Sequence, residues 1–429
     1  MRTYPEHERP CGWNALLTPR VPEPALSSHL NCELAVVGAG YTGLAAARRW
    51  AEARPDDRVC VLEASTVGEG SPGRNSGFML EIALAEDADA SAVSRMTTIN
   101  GLCRGAMRDL AEQVERFDID CGLVRRGTYR AAATDMGAAA LDRYRRFLEA
   151  AKLPHEVLEG PALAERIGTH HYRVGLHSPD CWLVQPAALI RGLADHRPAS
   201  VTLHERSPVT SIKPHRDGGW VLRTEHATVR AARVILANNA FAGALGFGAS
   251  RLTPVYTYAG LTSPLPAEAL AQLGSDPEWG LLPTVKLGAT LRRTADGRLL
   301  ARSQYSYRRE LPNDQVESLL KDCLQRRFPQ LGALHMDHVW GGTTGVTLNG
   351  APEWGEPAPG LFVSAGCNGG GVVKGTLLGG LLAGMALDED VPDVSALFGR
   401  ASLVPPDPLR RIGFSLMTWR WRRQTGAEA

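Results

Sequence analysis

The sequence predicts an α/β fold in which a Rossmann-like domain is interleaved with an α+β domain built on an antiparallel sheet. A glycine turn joins a short apolar strand to a helix at residues 33–50, and a second strand, glycine turn and helix follow at 360–387. The apolar run at 234–237 is typical of a strand buried on both faces of a parallel sheet. Short stretches of alternating apolar and polar residues lie between these segments and predict antiparallel strands.

The first glycine turn has the G-x-G-x-x-G spacing of a dinucleotide site, with Gly38, Gly40 and Gly43 as its glycines. Glycine at the first position permits the tight turn, at the second the close approach of a pyrophosphate, and at the third the packing of the helix on the strand. The helix that begins here directs free N–H groups and the positive end of its dipole at phosphates. We expect the other residues of the turn to contact the ligand as well: Ala39, Tyr41 and Thr42.

An acidic residue ends the next strand. Residues 59–62 are apolar and Glu63 follows them, twenty positions after Gly43. A carboxylate in this position accepts hydrogen bonds from ribose hydroxyls, and Ala64 lies beside it. The strand, turn, helix and acid together indicate an adenine dinucleotide.

Residues 68–77 form a predicted loop, because neither a helix nor a strand tolerates their content of glycine, proline and serine. The loop is dense in backbone N–H groups and side chains that bind a polar or anionic ligand. We expect four of its residues to contact the cofactor: Arg74, Asn75, Ser76 and Gly77.

The middle of the chain alternates between helical and strand patterns. Apolar spacing of three to four residues predicts helices over 93–117, 137–151, 161–167, 185–195 and 313–328. Shorter alternation predicts strands over 127–134, 201–205, 209–214, 219–224 and 228–237, followed by a β-rich stretch over 254–311. In that stretch, aromatic and basic residues recur at alternate positions: Tyr256, Tyr258, Arg302, Tyr305 and Tyr307.

A second glycine-rich turn lies near the end of the chain, at 366–371. It aims another helix N-terminus at the region of the first turn, where backbone N–H groups stabilise negative charge. The alternative is a packing turn in which glycine only avoids side-chain clashes. The cofactor contacts expected from this part of the chain and from two neighbouring segments are Asn239, Gly342, Gly366, Cys367, Gly370, Gly371 and Lys374.

Both NAD and FAD bind a glycine turn that is followed by an acid, so the rest of the chain decides between them. An NAD dehydrogenase continues with regular alternation of strands and helices. This chain instead enters the loop 68–77 after Glu63 and closes with the second glycine turn. Because a reduced flavin carries negative charge near N1 and the C2 carbonyl, a second helix N-terminus favours FAD.

The chain resembles the FAD-dependent family that contains D-amino acid oxidase, glycine oxidase and sarcosine oxidase, and within it the branch of gamma-glutamylputrescine oxidoreductase. Five segments within 32–388 carry the resemblance: 37–46, 68–77, 185–194, 294–300 and 340–371. It implies a glutathione-reductase-type FAD-binding domain and oxidation of a C–N bond. It further implies that Gly38, Gly40, Gly43 and Glu63 hold the ADP half of FAD, that Val209 meets the adenine side through its backbone, and that the second turn lines the isoalloxazine.

The family also implies a discontinuous division of the chain. We expect an N-terminal arm at 1–31 and a C-terminal tail at 391–429. The FAD-binding domain would comprise 32–90, 155–240 and 336–390, and the substrate domain 91–154 and 241–335.

Three segments depart from the family's pattern near the flavin or the substrate. They are 238–241, 301–305 and 366–371, the last of which lacks the histidine that relatives often carry. Two alternatives to an amine or amino-acid oxidase therefore stay open. One is a flavin dehydrogenase or tailoring oxidase of a biosynthetic pathway that uses another electron acceptor, and the other is a non-catalytic flavin-binding relative.

Oxidation of an amine at a flavin requires little acid–base chemistry. The neutral amine is held with its α C–H about 3–3.5 Å from flavin N5 for hydride transfer. The imine then hydrolyses, and the electrons pass to O2 or another acceptor. A small amino acid as substrate needs a cation for its carboxylate, and Arg302 beside Tyr305 is the first candidate.

Four further residues are candidates for roles at the flavin. Tyr256 and Tyr258 would cap the site, and Lys374 would favour the reduction of oxygen. Cys367 would contact the flavin without a covalent bond, so the FAD is expected to be non-covalent. The alternatives are a surface position for Arg302, a core position for Tyr256 and a lysine that reaches to solvent.

Composition limits the partners. A hydrophobic content of 44% predicts a buried core, and a formal net charge of +1 gives no general case for binding nucleic acid or a membrane. The eight cysteines include no C-x-x-C pair, so we expect reduced thiols and no metal site. The N-terminus lacks an apolar secretion signal, so a cytoplasmic location is expected. The basic and aromatic tail at 419–423 is expected to be a terminal helix that docks on its own domain rather than a contact with a membrane or nucleic acid, and the oligomeric state is left open.

Overall fold

A computed structural model of the protein describes residues 3–82 and 92–429, whose strands form three sheets. The strands, in chain order, are β1 (Leu30–Val37), β2 (Val59–Leu62), β3 (Phe78–Leu80), β4 (Val124–Arg125), β5 (Thr128–Ala132), β6 (Glu156–Glu159), β7 (Val174–Ser178), β8 (Cys181–Leu183), β9 (Val201–His204), β10 (Ser211–Pro214), β11 (Trp220–Arg223), β12 (Thr228–Leu236), β13 (Thr253–Thr262), β14 (Trp279–Pro283), β15 (Thr290–Arg293), β16 (Leu299–Tyr307), β17 (Met336–Val346), β18 (Glu353–Ala358) and β19 (Leu361–Ala365).

The helices of the described residues, in chain order, are α1 (Gly12–Ala15), α2 (Tyr41–Ala53), α3 (Ser71–Arg74), α4 (Val93–Arg116), α5 (Asp135–Ala150), α6 (Gly160–Ile167), α7 (Pro186–Asp195), α8 (Ala267–Leu270), α9 (Asn313–Arg327), α10 (Val373–Ala386), α11 (Val394–Phe398) and α12 (Leu409–Thr425). Short 3₁₀ helices cover Asn239–Leu245, Pro329–Leu331 and Gly426–Glu428. Most helices predicted from apolar spacing lie within two residues of their observed bounds. The terminal helix expected at 419–423 is part of the longer helix α12.

The first sheet has the strand order β10-β11-β12-β1-β2-β9, with β19 paired to β12 and β18 paired to β19. Its centre is parallel, because β1 runs parallel to both β2 and β12. Val37 is the partner of both Leu62 and Leu236, so the carboxyl ends of these strands share one edge. The chain order reverses between β1 and β12, and ligands of open α/β sheets bind at such a switch point.

The second sheet has the order β17-β13-β16-β15-β14-β5-β7-β6, and a small third sheet has the order β3-β8-β4. Neighbouring strands of the second sheet are antiparallel, as predicted, except that β14 runs parallel to β5. These two strands lie far apart in the chain, so local alternation could not reveal their relative direction. The predicted α/β fold is therefore confirmed, with one parallel pair in the second sheet.

Strand pairing departs from the predicted domain division at two places. Strands β6 and β7, which lie inside the range 155–240, join the second sheet, because β7 pairs with β5 along its whole length. Helix α4 lies inside the range 91–154, yet its residues Met96 and Met107 share the hydrophobic core of the first sheet. The predicted boundary between residues 90 and 91 lies outside the described residues.

Helix α10 crosses the start of α2 at short range, because two of its four glycines face α2. A Cβ atom at Gly379 would lie 2.2 Å from the carbonyl oxygen of Thr42, and one at Gly375 would lie 2.9 Å from the Thr42 hydroxyl oxygen. No larger residue fits at Gly379 unless the backbone moves. The N-termini of α2 and α10 therefore meet at the carboxyl edge of the first sheet.

Candidate active site

A single cavity of about 1520 Å³ joins the carboxyl edge of the first sheet to the second sheet. A typical small-molecule pocket has about 300–1,000 Å³, so this one has room for a large cofactor and a second ligand. The predicted cofactor residues that line it are Gly38, Gly40, Tyr41, Thr42, Glu63, Ala64, Arg74, Asn75, Ser76, Val209, Asn239, Gly342, Gly366, Cys367, Gly370, Gly371 and Lys374. Three others, Ala39, Gly43 and Gly77, lie beside the cavity without lining it.

Two glycines of the first glycine turn line the cavity, and the third packs against the turn and β1. Gly38 has a φ of 102°, which favours glycine, and its N–H donates to the carbonyl of Leu62 at 2.8 Å. Gly40 precedes the first residue of α2 and faces the cavity. Gly43 instead faces the strand, where a Cβ atom would lie 1.9 Å from the Gly38 carbonyl oxygen. The third glycine therefore allows the helix to pack closely on the turn and on β1.

The carboxylate of Glu63 is held by backbone N–H groups at the end of β2. One oxygen accepts from the Ala39 N–H at 2.9 Å, and the other accepts from the Ser65 N–H at 3.0 Å. Burial raises the pKa of this carboxyl above its ordinary value, although these backbone hydrogen bonds oppose the rise. Each oxygen retains a second lone pair for a ribose hydroxyl.

We expect FAD to bind more weakly as the pH falls through the raised pKa of Glu63. Protonation removes acceptor capacity that ribose hydroxyls need, so binding favours the ionised form and linkage makes the affinity decline toward acidic pH. Titration of the apoprotein with FAD from neutral to mildly acidic pH measures this slope. The Glu63→Gln variant should bind about tenfold more weakly at neutral pH and lose the slope. A variant that keeps the slope would contradict the assignment.

The segment 68–77 lies against the cavity and is not all loop as predicted, because Ser71–Arg74 form the short helix α3, which Gly70 and Pro72 begin. The guanidinium of Arg74 is bound to protein groups. Its donors reach the carbonyls of Glu69, Gly341 and Arg9 at 2.6 to 2.8 Å, and the carboxylate of Glu69 at 3.0 Å. Burial lowers the pKa of this side chain. Arg74 therefore ties the loop to β17 and to the N-terminal arm, so its guanidinium is not free to grip a phosphate as the sequence suggested.

The other residues predicted near this loop shape the backbone. Asn75 accepts a hydrogen bond from the Gly77 N–H at 2.8 Å, and Gly77 has a φ of 78°. A Cβ atom at Gly77 would lie 2.2 Å from the Val184 carbonyl oxygen. Gly342 of β17 lies across from Arg74. A Cβ atom at Gly342 would lie 3.3 Å from the Cβ atom of Arg74. These contacts bring β17 and the loop close together at the cavity wall.

The second glycine turn is clamped by Asn239. The Asn239 side-chain oxygen accepts the Gly366 N–H at 2.9 Å, and its amide nitrogen donates to the Cys367 sulfur at 3.2 Å. Asn239 has a φ of 48°, a conformation that asparagine tolerates better than most residues. Asn368 binds the same turn to the residue that follows β17, because its side-chain oxygen accepts the Thr347 N–H at 2.9 Å. Two of the segments that depart from the family's pattern, 238–241 and 366–371, are therefore joined by direct hydrogen bonds through Asn239.

Lys374 lies in the first turn of α10 and lines the cavity. No ion pair of Lys374 occurs among residues 3–82 and 92–429. Burial raises the pKa of the Cys103 thiol to about 11, and the charge of Lys374 opposes that rise, which indicates that the lysine lies near α4. The cavity therefore contains a positive charge beside the N-terminus of α10.

On the second sheet, Arg302 and Tyr305 of β16 line the cavity together. A guanidinium nitrogen of Arg302 donates to the Tyr305 hydroxyl at 3.1 Å. No carboxylate pairs with Arg302 among the described residues, so its charge is available to a ligand. Tyr256 does not line the cavity, because the ring of His7 packs on it at 6.1 Å between centroids. Of the two tyrosines expected to cap the site, Tyr258 does line the cavity.

Several cavity residues have little or no local signal in the sequence. His7 belongs to the N-terminal arm, and its Nδ1 lies 2.7 Å from a carboxylate oxygen of Glu310. Burial lowers the pKa of His7, and the hydrogen bond to Glu310 opposes the change. Arg130 is buried in β5 and lines the cavity. The sequence offered one indication of Arg130, which is that a charged residue lies within a predicted strand of otherwise uncharged residues.

The cavity fits an extended dinucleotide. Two helix N-termini meet at it, glycines remove the side chains that would fill it, and Glu63 stands at the end of β2. Four residues that line the cavity have a buried polar atom without a hydrogen-bond partner among the described residues: His7 Nε2, Arg130 Nε, Asn238 Oδ1 and Thr257 Oγ1. A bound cofactor would supply such partners.

A switch-point cradle of this kind that opens toward a second sheet is typical of an oxidoreductase that binds a dinucleotide cofactor, either NAD or FAD. The family described as "DAO: FAD dependent oxidoreductase" matches residues 33–385. The chain belongs to this family.

Individual relatives agree with this assignment. The chain is 31% identical over 376 residues to gamma-glutamylputrescine oxidoreductase of Escherichia coli (strain K12), covering 84% of this chain and 85% of the relative. It is 27% identical over 361 residues to glycine oxidase of Geobacillus kaustophilus, covering 82% and 92%. These matches confirm the predicted enzyme class, an FAD-dependent oxidoreductase of the amine and amino-acid oxidase type.

Solved structures share the fold. The crystal structure of glycine oxidase from Geobacillus kaustophilus aligns with a TM-score of 0.75 at 24% identity, covering 87% of this chain and 100% of that chain. L-proline dehydrogenase from P. horikoshii aligns with a TM-score of 0.68 at 16% identity, covering 92% and 99%. At these identities the likeness concerns the fold alone.

The described residues contain neither a membrane-spanning helix nor a cluster of metal ligands. None of the helices in 3–82 and 92–429 is long and apolar enough to cross a bilayer. In the same residues, no three His, Cys, Asp or Glu side chains group as metal ligands. All eight cysteines are free thiols, and Cys367 alone among them is partly exposed.

Proposed function

We propose that this enzyme oxidises a C–N bond of a small amine or amino acid by hydride transfer to flavin N5, followed by hydrolysis of the imine. The observation that carries the proposal is the shared cavity, in which the dinucleotide cradle and the Arg302–Tyr305 pair face one space. The names of two relatives specify glycine and gamma-glutamylputrescine, which are an amino acid and an amine.

FAD, when bound, supplies the acceptor for the hydride. We assign its ADP half to Gly38, Gly40 and Glu63, and its adenine side to Val209. The isoalloxazine would lie against the second glycine turn, whose backbone is held by Asn239. Lys374 and the N-terminus of α10 would stabilise negative charge on that part of the cofactor.

Arg302 would bind and orient the substrate through its carboxylate. Its guanidinium is braced by the Tyr305 hydroxyl and has no carboxylate partner among the described residues, so a substrate carboxylate would complete the pair. The fixed guanidinium would direct the α C–H toward the second glycine turn. The remaining wall includes Leu282, Phe414 and Trp421, whose apolar groups would exclude bulk water.

We further propose O2 as the electron acceptor, and a panel of amines and amino acids tests both parts. Anaerobic addition of a substrate to the purified holoenzyme should bleach the visible flavin band, and aerobic turnover should release hydrogen peroxide. Bleaching without peroxide would overturn the acceptor and favour the dehydrogenase or tailoring-oxidase alternative. Failure of every member of the panel to bleach the flavin would overturn amine oxidation and favour a non-catalytic relative.

We expect the FAD to be non-covalent. The sulfur of Cys367 already lies 3.2 Å from the Asn239 amide nitrogen and 3.3 Å from the Thr344 hydroxyl, which hold it in the turn. Acid precipitation of the holoenzyme should leave all of the yellow colour in the supernatant, for Cys367→Ala as for the parent. A yellow pellet that turns colourless in Cys367→Ala would show a cysteinyl flavin instead.

A further inference from the structure

Helix α12 exposes an apolar stripe along its outer side. Leu409, Ile412, Leu416 and Trp419 are spaced three or four residues apart, and each is more than half exposed. Residues at this spacing lie on one side of a helix. Surface apolar residues are common singly, but a contiguous row of large ones marks an interaction surface.

The opposite side of α12 forms part of the cavity wall. Phe414, Met417 and Trp421 line the cavity. The Trp421 ring lies 5.0 Å from the Lys286 ammonium, and the Phe414 ring lies 5.5 Å from the Tyr307 ring. The helix is therefore apolar on two sides, and the rest of the protein covers only the inner side. We expected this tail to dock on its own domain, and the docking accounts for only that inner side.

Positive charge surrounds the exposed stripe. Arg411, Arg420, Arg422 and Arg423 are exposed, and none forms an ion pair with the described residues. The helix contains no aspartate or glutamate. The whole chain has a formal net charge of only +1. The positive charge of this helix is therefore offset by negative residues elsewhere in the protein and not within the helix itself.

The apolar surface continues onto the neighbouring rim of the cavity. Leu348 and Leu403 are both exposed by more than half. Their segments are joined, because the Asn349 side chain donates to the Arg400 carbonyl at 2.8 Å and accepts the Ser402 N–H at 3.1 Å. Leu348 and Leu409 also line the cavity, so the exposed apolar surface borders its mouth.

The charge decides among possible occupants. In a two-fold contact with a second copy, the helix would face its own equivalent and bring arginines against arginines without a carboxylate to pair them. Nucleic acid would match the arginines but offers no apolar phase for leucine, isoleucine and tryptophan. An anionic lipid surface satisfies both, because its headgroups bind arginine and its acyl region accepts apolar side chains.

We infer that α12 docks this enzyme on an anionic lipid surface, with Ile412, Leu416 and Trp419 in the interface and the cavity mouth beside it. Arg423 lies over the Trp419 ring at 4.2 Å, so a charged group and an interfacial aromatic would enter the headgroup layer together. The attachment is peripheral, since it requires no spanning helix. It goes beyond the proposed oxidation and revises the sequence expectation of no membrane partner.

Co-sedimentation of the holoenzyme with vesicles tests the inference. Vesicles of phosphatidylglycerol and phosphatidylcholine in equal parts should bind about tenfold more protein than vesicles of phosphatidylcholine alone, and added salt should weaken the binding. The variant Ile412→Ser with Leu416→Ser should lose binding by at least about tenfold. The variant Arg411→Gln with Arg420→Gln should lose the preference for anionic vesicles.

Matched controls lie elsewhere on the surface. Val21 and Val157 are exposed apolar residues, and Arg216 is a highly exposed arginine, all distant in sequence from α12. Val21→Ser with Val157→Ser, and Arg216→Gln, should bind vesicles like the parent. Flavin content and the thermal midpoint confirm that each variant folds, since every changed side chain is exposed.

Three results would overturn the inference. One is equal binding to anionic and neutral vesicles, or to neither. Another is a dimer in solution that Ile412→Ser with Leu416→Ser dissociates, which would assign the stripe to a second copy. The third is binding to duplex DNA in preference to anionic vesicles.

Discussion

Replacement of Gly43 by alanine is expected to weaken FAD binding by about ten- to a hundredfold. The new Cβ would lie 1.9 Å from the carbonyl oxygen of Gly38 and 3.2 Å from a methyl carbon of Val36. The nearer of these atoms is backbone, so α2 must move away from β1 and the whole turn must shift. Overpacking of this kind costs roughly 1–3 kcal/mol, and the upper two thirds of that range correspond to about ten- to a hundredfold in affinity.

Fluorescence titration of the apoprotein with FAD measures this loss, and circular dichroism checks that the variant folds. Gly380→Ala is the matched control, because Gly380 also lies in a helix and a Cβ there would meet nothing within 4 Å. The control should bind FAD normally and gain about 0.5–1 kcal/mol of stability from helix propensity. If Gly43→Ala bound FAD as tightly as the parent, the packing role of the third glycine would be wrong.

Replacement of Arg302 by methionine is expected to lower kcat/KM for amino-acid substrates by about a hundredfold. Methionine keeps much of the side-chain volume but removes the charge that would pair with the substrate carboxylate. A hydrogen bond to a charged group contributes about 1.5–3 kcal/mol, and a guanidinium offers two of them to a carboxylate. The loss should concern amino acids only, because an amine without a carboxylate makes no such pair.

Steady-state kinetics on an amino acid and on the matching amine separate the two effects. Arg302→Lys should recover part of the activity, since it restores the charge without the planar fork. Tyr305→Phe should have a smaller effect than Arg302→Met, because it removes only the hydroxyl that accepts from Arg302 at 3.1 Å. Equal losses on the amino acid and the amine would show that Arg302 shapes the site rather than binds a carboxylate.

The parts of the site that were predictable are those made by a short segment of chain. The first turn, Glu63 and the second turn each combine a strand end, glycines and a helix start, so local spacing reveals them. Their common location also follows, because the carboxyl ends of parallel strands share an edge, as Val37, Leu62 and Leu236 do. The roles of the individual site residues stay predictions.

Side-chain direction was not predictable in the same way. Arg74 and Arg302 both looked available to an anion, yet the guanidinium of Arg74 is bound to Glu69, Gly341 and Arg9. Tyr256 and Tyr258 share the alternation of β13, but the N-terminal arm covers Tyr256 through His7. In each case the deciding partner lies far away in the chain, so no local pattern records it.

The amino-acid sequence by itself determined the α/β fold, the FAD cofactor and the family, because each depends on glycines, apolar runs and an acid within short windows. Only the tertiary structure decided which charged side chains face the cavity, where the N-terminal arm lies and which side of α12 remains uncovered. Those features depend on contacts between distant segments such as His7 with Glu310 and Trp421 with Lys286. Local spacing encodes the backbone, whereas the exposure of a side chain is set by whatever else the folded chain brings next to it.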